Sequence, residues 1–328
     1  MVNIRFIIVR LIIMVLLIPL SLMGRGQSAK SSGSVAFTID EKDLIPEGIT
    51  YDPATHQFFI SSICKEKVVA VDDKGSARDF LKSGQDGILQ TLGMKVDNQT
   101  RRFWVVSNMD AGNIHQSAVH VFDIESGTLI KKFILSKDTA HLFNDIALAG
   151  NGDAYITDSY SRVIYTVPAD LAGLRPFAES DSFLKGSNGL VVSPDGKLLY
   201  VATSEGITIV NLKTLDIRPI RNPGKVSAAG IDGLVFFKES LFGVTNSKDN
   251  ESEMFIARYK LSTDLKEISG IEIIDKGNPL FNLPTTCVIA GDYLYCLANT
   301  SLRLYFQDKT NSKGNLRNPI ILKYKITD

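Results

Sequence analysis

Residues 187–211 read SNGLVVSPDGKLLYVATSEGITIVN, and this stretch shows most clearly how the chain folds. A short apolar run, Leu190–Val192, is followed by a polar turn that contains proline and glycine. A second apolar run, Leu198–Ala202, and a third, Gly206–Asn211, come after it. Runs rich in Val, Ile, Leu and Tyr between Gly, Pro, Asn and Asp turns are typical of antiparallel β-strands in a meander.

The same three-strand phrase recurs along the chain at regular intervals. Its copies begin near residues 46, 91, 143, 187, 231 and 284, which gives spacings of 44 to 53 residues. This period fits four-stranded propeller blades better than helical repeats, because the chain shows no helical periodicity. The repeats therefore predict an all-β fold, a six-bladed β-propeller with four-stranded blades around a central channel. The alternative, a β-sandwich, would not repeat one phrase at this period.

A further strand precedes the first repeat and suggests how the ring closes. We expect Val35–Ile39 to supply the outer strand of the last blade. No stretch is long enough to be a linker between two domains, so residues 35–328 are predicted to form a single propeller domain.

Composition excludes several classes of protein. The chain has 328 residues, 44% of them apolar, which excludes disorder for most of its length. Its 36 Lys and Arg balance 36 Asp and Glu, which argues against a nucleic-acid partner. Three Cys are too few for a disulfide-dense mini-protein or a four-thiolate zinc site.

The N-terminus has the pattern of a secretory leader. Arg5 and Arg10 precede the apolar stretch Leu11–Gly24, and small and polar residues follow. The stretch is too short for a membrane span, which needs about 20 apolar residues. We predict a signal peptide over residues 1–28, a secreted or periplasmic protein and no stable membrane span after its removal; an uncleaved signal anchor is the alternative. Loss of the leader with its three Arg leaves a net charge of −3.

Export makes disulfides relevant to Cys287 and Cys296. If Gly291 and Asp292 form a hairpin turn, the two Cys face each other across adjacent strands. Directly opposed pairs lie at the short end of disulfide geometry, so a strained bridge and two buried thiols both remain open. Cys64 is left over in either case.

The first position of each repeat matters for function, because the innermost strands of a propeller line its channel and begin at one mouth. In the six repeats this position is held by Glu47, Leu92, Asn144, Asn188, Asp232 and Thr285 or Thr286. The two acids and the two Asn among them are oxygen donors. Two carboxylates and two amide oxygens suit Ca²⁺ or another divalent cation, and they disfavour zinc or copper. Asp145 is a further carboxylate or a support for the others. The alternative is that crowded strand starts simply favour small polar residues.

Four motifs resemble the metal-ligand motifs of a known family: Pro46-Glu47-Gly48, Phe143-Asn144-Asp145, Ser187-Asn188-Gly189-Leu190 and Asp232-Gly233. They are similar to those of the gluconolactonase/regucalcin family of six-bladed propellers, which includes senescence marker protein and luciferin-regenerating enzyme. Residues 188–197 also resemble paraoxonases and strictosidine-synthase-like proteins. The resemblance implies a divalent ion, usually calcium, held by Glu47, Asn144, Asn188 and Asp232. It also implies hydrolysis of a small-molecule lactone or other ester. We expect the protein to be a monomer.

The resemblance also implies catalytic roles. The ion would polarise the substrate carbonyl, and Asp232 would act as a base for water or as a nucleophile. Sugar lactonases of the family carry an Arg just before the Asn-Asp pair, where this chain has His141-Leu142-Phe143, and paraoxonases carry a His where it has Leu92. His141 is a candidate catalytic base because its ordinary pKa is near neutrality, and the alternative is an ordinary loop residue.

The remaining His and the single Trp suggest no chemistry. His56, His115 and His120 fall in turns or outer strands and are expected to be solvated, whereas Trp104 is expected in the core. Two classes of function therefore stay open. One is a secreted calcium-dependent hydrolase, and the other is a non-catalytic propeller that binds a ligand or protein and holds a structural metal.

Overall fold

The structure, a computed structural model, describes residues 33–111, 114–136, 140–224, 226–247, 250–307 and 315–326. The predicted signal peptide, residues 1–28, lies outside these ranges. Within them, 24 strands form six antiparallel sheets of four strands each. The predicted six-bladed all-β propeller is thereby confirmed.

Five blades are built from consecutive strands, so that each is a meander. The first three blades comprise β2 (Ile49–Asp52), β3 (Gln57–Ser62), β4 (Lys67–Val71) and β5 (Ala77–Leu81); β6 (Gln90–Asp97), β7 (Arg102–Ala111), β8 (Ile114–Asp123) and β9 (Leu129–Ser136); and β10 (Phe143–Leu148), β11 (Ala154–Asp158), β12 (Val163–Val167) and β13 (Arg175–Glu179). The next two comprise β14 (Leu190–Val192), β15 (Leu198–Thr203), β16 (Gly206–Asn211) and β17 (Ile217–Pro219); and β18 (Ile231–Phe237), β19 (Ser240–Thr245), β20 (Phe255–Leu261) and β21 (Ile268–Lys276).

The sixth blade joins the two ends of the propeller. It contains β22 (Cys287–Ala290), β23 (Tyr293–Asn299), β24 (Ile320–Lys325) and, as its outer strand, β1 (Ser34–Thr38). β1 lies antiparallel to β24, with Ser34 opposite Lys323 and Thr38 opposite Ile320. The strand ahead of the first repeat therefore closes the ring as predicted, one residue earlier than the sequence suggested.

Helices are few and short in the part of the chain that the structure describes. Residues Gln85–Gly87 and Glu251–Glu253 form single 3-10 turns, and α1 (Leu302–Gln307) follows β23. Among the described residues, no helix has the length and apolar character needed to cross a membrane.

The six inner strands contact one another in a closed circle, from β2 through β6, β10, β14 and β18 to β22 and back to β2. This approach requires glycine near the start of several strands. A Cβ on Gly189 would lie 2.3 Å from the carbonyl oxygen of Asp232, and one on Gly48 would lie 2.3 Å from that of Leu92. Because such contacts are too short for any side chain, these glycines let the neighbouring blades meet around a narrow channel.

The hydrophobic core lies between adjacent blades. Phe59 of the first blade packs against Phe103 of the second, with ring centroids 5.0 Å apart. Trp104 is fully buried, which confirms its expected place in the core. His120 is also fully buried and stacks on Phe122 at 6.0 Å, so its expected solvation was wrong. His120 lies on β8, so even the third strand of a blade is covered by neighbouring parts of the chain. Burial lowers the pKa of His120 to about 4.

Cys287 and Cys296 stand directly opposite each other in the β22–β23 hairpin, as the Gly291-Asp292 turn predicted. Both are buried free thiols in the structure, and burial raises the pKa of Cys296 well above its ordinary value. Cys64 is exposed on the first blade and forms no disulfide.

Candidate metal centre at the channel mouth

The four predicted ligands lie where the inner strands begin, which is the same mouth of the channel. Glu47 and Asn188 stand two residues before β2 and β14, while Asn144 and Asp232 are the second residues of β10 and β18. Glu47, Asn144 and Asp232 are buried and Asn188 is half-buried. The carboxylate of Asp232 acts electrostatically on that of Glu47, so residues 185 positions apart in the sequence share one site.

Glu47 is held in place through its main-chain carbonyl group. The hydroxyls of Thr285 and Thr286 each donate to the Glu47 carbonyl oxygen at 2.8 Å and so join the sixth blade to the first. The carboxylate atom Oε2 is buried and has no hydrogen-bond partner within the described part of the chain. Burial, and then the charges of Asp232 and Asp145, raise the pKa of Glu47 well above its ordinary value.

Asp232 is oriented by two amides. Asn246 Nδ2 donates to Asp232 Oδ2 at 2.6 Å, and the Asn188 side chain also hydrogen-bonds to this carboxylate. Burial raises the pKa of Asp232 to about 7, Asp145 adds to the rise, and the two amides oppose it. The amide oxygen of Asn188 is buried, with no hydrogen-bond partner among the described residues.

Asn144 is oriented through its nitrogen. Its Nδ2 donates to Ser159 Oγ at 3.1 Å, and Ser159 Oγ donates in turn to the carbonyl oxygen of Ser187 at 2.6 Å. Since the nitrogen is engaged on the protein side, Oδ1 is the atom of this amide suited to bind a cation.

Asp145 adds a third carboxylate to the mouth. Its Oδ1 accepts from the Ile146 amide at 2.8 Å and lies 3.9 Å from Lys95 Nζ. Burial raises the pKa of Asp145, while Lys95 opposes that rise. Lys95 and Asp145 line the narrow channel beneath the mouth together with Gly48, Gly93 and Gly233.

Lys95 and Asn246 were missed by sequence reasoning, because neither stands at the first position of a repeat. Lys95 is three residues further along its inner strand, and Asn246 follows β19. A count of charged residues along the inner strands would have found Lys95.

The residues at the mouth fit a hard divalent cation. Glu47 and Asn188 each have a buried oxygen that no described residue hydrogen-bonds, and two further carboxylates lie next to them. Such oxygens are the donors that calcium prefers. Among the described residues, no group of three or more His, Cys, Asp or Glu is arranged to hold a metal ion. The predicted set is of a different kind, because half of its ligands are Asn oxygens.

His141 lies on the loop that enters β10, three residues before Asn144. Its Nδ1 is 2.5 Å from Asp158 Oδ2, and the other oxygen of Asp158 accepts from the Leu142 amide at 3.0 Å. The His141 ring is buried and stands edge-on to Tyr165 at 6.4 Å. A buried His–Asp pair next to the mouth is compatible with both a proton-accepting role and a structural one, so the catalytic role of His141 stays a prediction.

One side of the mouth is apolar. Leu92, at the ligand position of the second blade, belongs to a cluster with Ile45, Ile63 and Leu302 of α1. Half-buried apolar side chains pack against the same cluster, namely Leu142, Leu283, Leu304 and Tyr305. Within α1, Arg303 Nη2 donates to the Ser247 carbonyl oxygen at 2.9 Å. The helix therefore connects the sixth blade to the fifth beside the mouth.

A six-bladed propeller with acidic and amide side chains around one channel mouth defines the class of this protein. Residues 45–231 match the family described as the SMP-30/Gluconolactonase/LRE-like region. This match covers more than half of the chain, so the protein belongs to that family, as its motifs suggested.

Solved structures share the fold at low sequence identity. The chain is similar to a gluconolactonase from Xanthomonas campestris, with a TM-score of 0.58, 16% identity and 86% of each chain covered. It is similar to the calcium-binding protein regucalcin from Agrobacterium tumefaciens, with a TM-score of 0.58, 16% identity and coverage of 89% of this chain and 94% of that one.

A protein of different activity is equally similar in fold. The PQQ-bound aldose sugar dehydrogenase from Streptomyces coelicolor gives a TM-score of 0.58 at 13% identity, with 90% and 99% of the two chains covered. A comparison with curated protein sequences gives no match. The structural likenesses therefore establish the fold, and function depends on the family and the site.

Proposed function

We propose that this protein is a divalent-cation-dependent hydrolase of a small-molecule lactone or other ester, with calcium as the ion. Glu47, Asn144, Asn188 and Asp232 would hold the ion at the channel mouth. The observation that carries the proposal is a pair of buried oxygens, on Glu47 and Asn188 beside Asp232, that have no hydrogen-bond partner among the residues that the structure describes. Leaving such groups unpaired is costly, and a cation would satisfy both. Membership of the gluconolactonase-containing family supports a lactonase-type reaction.

The ion, when bound, supplies Lewis acidity that polarises a substrate carbonyl and stabilises the oxyanion. Asp232 is the proposed general base. Its Oδ2 is fixed by Asn246 at 2.6 Å, and a pKa of about 7 suits proton acceptance from water near neutrality. Direct attack by this carboxylate as a nucleophile is the alternative role.

His141 is the second candidate for proton transfer. Asp158 Oδ2, 2.5 Å from Nδ1, would fix the orientation of the imidazole ring. A neutral His oriented in this way can accept a proton, which is the role we propose for it.

The sequence is the basis for a proposal on cellular location and oligomeric state. We propose that residues 1–28 direct the protein out of the cytoplasm and are then removed, and that the mature propeller acts as a monomer. Calcium is abundant outside cells, and extracellular calcium modules bind it weakly, with dissociation constants of about 0.1–1 mM. The calcium outside the cell would then be sufficient to occupy the site.

The test is hydrolysis of a panel of sugar lactones, alkyl lactones and aryl esters, with calcium and with chelator. We expect activity that chelator abolishes and calcium restores, and a fall of about 10²-fold or more in Asp232→Ala, because base catalysis contributes about that much. Asp216→Asn, at an exposed Asp whose side chain pairs with Arg218 on the surface, is the matched control and should retain full activity.

Two outcomes would contradict the proposal. Activity that is unaffected by chelator would exclude the ion from the reaction. Calcium binding without activity on any member of the panel would favour the alternative, a binding propeller with a structural metal.

A further inference from the structure

Lys95 is the one basic side chain among the described residues that line the channel beneath the mouth. Lys95 belongs to β6, its side chain is 26% exposed, and its Nζ lies 3.9 Å from Asp145 Oδ1. Its positive charge also acts on Glu47, where it opposes the rise of the pKa. Lys95 therefore belongs electrostatically to the carboxylate cluster, although it is no candidate ligand.

The positions of Lys95 and Asp145 are distinctive within the repeat. The residue that follows the ligand position is glycine in four blades, Asp145 in the third and Thr286 in the sixth. Three residues after the ligand position, the six blades carry Thr50, Lys95, Ala147, Val191, Val235 and Val288. At each of these two levels of the channel only one blade supplies a charge, and the two charges are opposite and adjacent.

The ionised side chains around the mouth have a net charge of −2. Glu47, Asp145 and Asp232 carry three negative charges when ionised, and Lys95 carries one positive charge. The remainder is −2, which one divalent cation neutralises. Without Lys95, a single dication would leave one negative charge uncompensated in a buried site.

We propose that Lys95 is a built-in counter-cation that sets the charge of the mouth for a single divalent ion. It would lower the repulsion among the carboxylates when no ion is bound, and it would weaken the attraction for the ion when one is present. Lys95 is thus a positioning residue that adjusts ion affinity. This inference rests on the ion site of the proposed function.

The experiment compares Lys95→Met with the wild type by calorimetric titration of Ca²⁺ into chelator-treated protein, and by thermal unfolding in chelator and in calcium. We expect the wild type to bind one ion and Lys95→Met to bind calcium about tenfold more tightly. We also expect the variant to unfold at a lower temperature in chelator and to gain more from calcium, because the ion then relieves a larger repulsion.

Two further variants separate charge from packing. Lys95→Arg keeps the charge and should restore the wild-type affinity. Lys131→Met removes an exposed Lys from β9, the outer strand of the same blade, and should leave affinity unchanged. If Lys95→Met does not fold in chelator, its affinity is measured on calcium-loaded protein by competition with a chelating dye.

The outcomes distinguish this inference from the ion site itself. Equal or weaker calcium affinity in Lys95→Met, or two ions in the wild type, would overturn the role of Lys95 while leaving the ion site intact. A wild-type protein that binds no calcium would overturn the ion site, and this inference with it.

Discussion

Asp232 shows how the neighbours of a single side chain set its tendency to ionise. Two amides hold it, burial deprives it of water, and Asp145 opposes its negative charge. Every one of these influences except the amides favours the protonated acid. A bound cation would reverse the balance, because it stabilises the ionised form.

This arrangement predicts how the stability of the metal-free protein depends on pH. The pKa of Asp232 is about 7 in the folded protein, against an ordinary value of 3.8, so the folded state holds a proton that the unfolded chain has released. The contribution is fully present below about pH 4 and is lost as the pH rises through 7. In chelator, we expect the free energy of unfolding to fall over this window by an amount on the order of a few kcal/mol.

The measurement is urea unfolding in chelator from pH 5 to pH 8, with Asp232→Asn as the comparison. The variant cannot ionise at this position, so its stability should fall less, and it should exceed the wild type at pH 8. A wild-type stability that rises over this range in chelator would contradict the pKa of Asp232.

The residues of the site were predictable to different degrees. Glu47, Asn144, Asn188 and Asp232 occupy one phase of the repeat, so the sequence alone was sufficient to group them. Asn246 could not be grouped in this way, because it reaches Asp232 from the strand next to the inner one. His120 was misjudged since period and propensity do not show which outer-strand residues a neighbouring blade covers.

At the scale of the strand, the inner strands owe their close approach to glycine. The Gly189 amide donates to the Asp232 carbonyl oxygen at 2.8 Å, which is the direct contact between β14 and β18 at the ligand level. The spacing between Asn188 and Asp232 is therefore set by a main-chain hydrogen bond that only a residue without Cβ allows.

Gly189→Ala should consequently disturb both stability and ion binding. Its Cβ would lie 2.3 Å from the Asp232 carbonyl oxygen, so the strands must separate, at a cost of about 3 kcal/mol. Thermal unfolding and calcium titration measure the two effects. Gly150→Ala is the control, since a Cβ there meets nothing within 4 Å, and it should unfold like the wild type. Equal stability of Gly189→Ala and Gly150→Ala would show that β14 and β18 separate at little cost in free energy.

Most strands were predictable because alternating apolar runs and turn residues repeat with the blades. The ends of the strands were less predictable than their existence. For example, β14 is only Leu190–Val192, although the apolar pattern around it is as clear as in other blades. α1 was not foreseen, because its six residues are too few to show a helical period. Its position beside the mouth depends on contacts such as that of Arg303 with Ser247, between residues distant in the sequence.

At the scale of the whole molecule, the ring is held shut by the pairing of β1 with β24. Phe37 of β1 is buried and packs against Phe58 of the first blade, with ring centroids 5.2 Å apart. β1 therefore supports both the sixth blade and its contact with the first, where Thr285 and Thr286 hold Glu47.

Removal of β1 should loosen the ion site from a distance. We expect a chain that starts at Asp40 to unfold at a temperature lower by about 10 °C or more and to bind calcium more weakly, although all four proposed ligands are retained. A chain that starts at Ala29 retains β1 and serves as the control. Unchanged calcium affinity in the shorter chain would show that five blades and a three-stranded sixth are enough to shape the mouth.

The architecture as a whole was the most predictable feature. The number of repeats fixes the number of blades, and the last blade lacked an outer strand, which the first strand could supply. The signal peptide stays a prediction, because residues 1–28 lie outside those described.

The position of β1 also has a consequence for the order in which the protein is made. Ser34 and its partner Lys323 are about 290 residues apart, so a ribosome that adds 5–20 residues per second delivers the partner about 15–60 s later. During that interval the first strand has no edge to join, and the circle cannot be completed. Such a chain stays open until its last segment is synthesised, which would suit the export that we propose, because an open chain can cross a membrane unfolded.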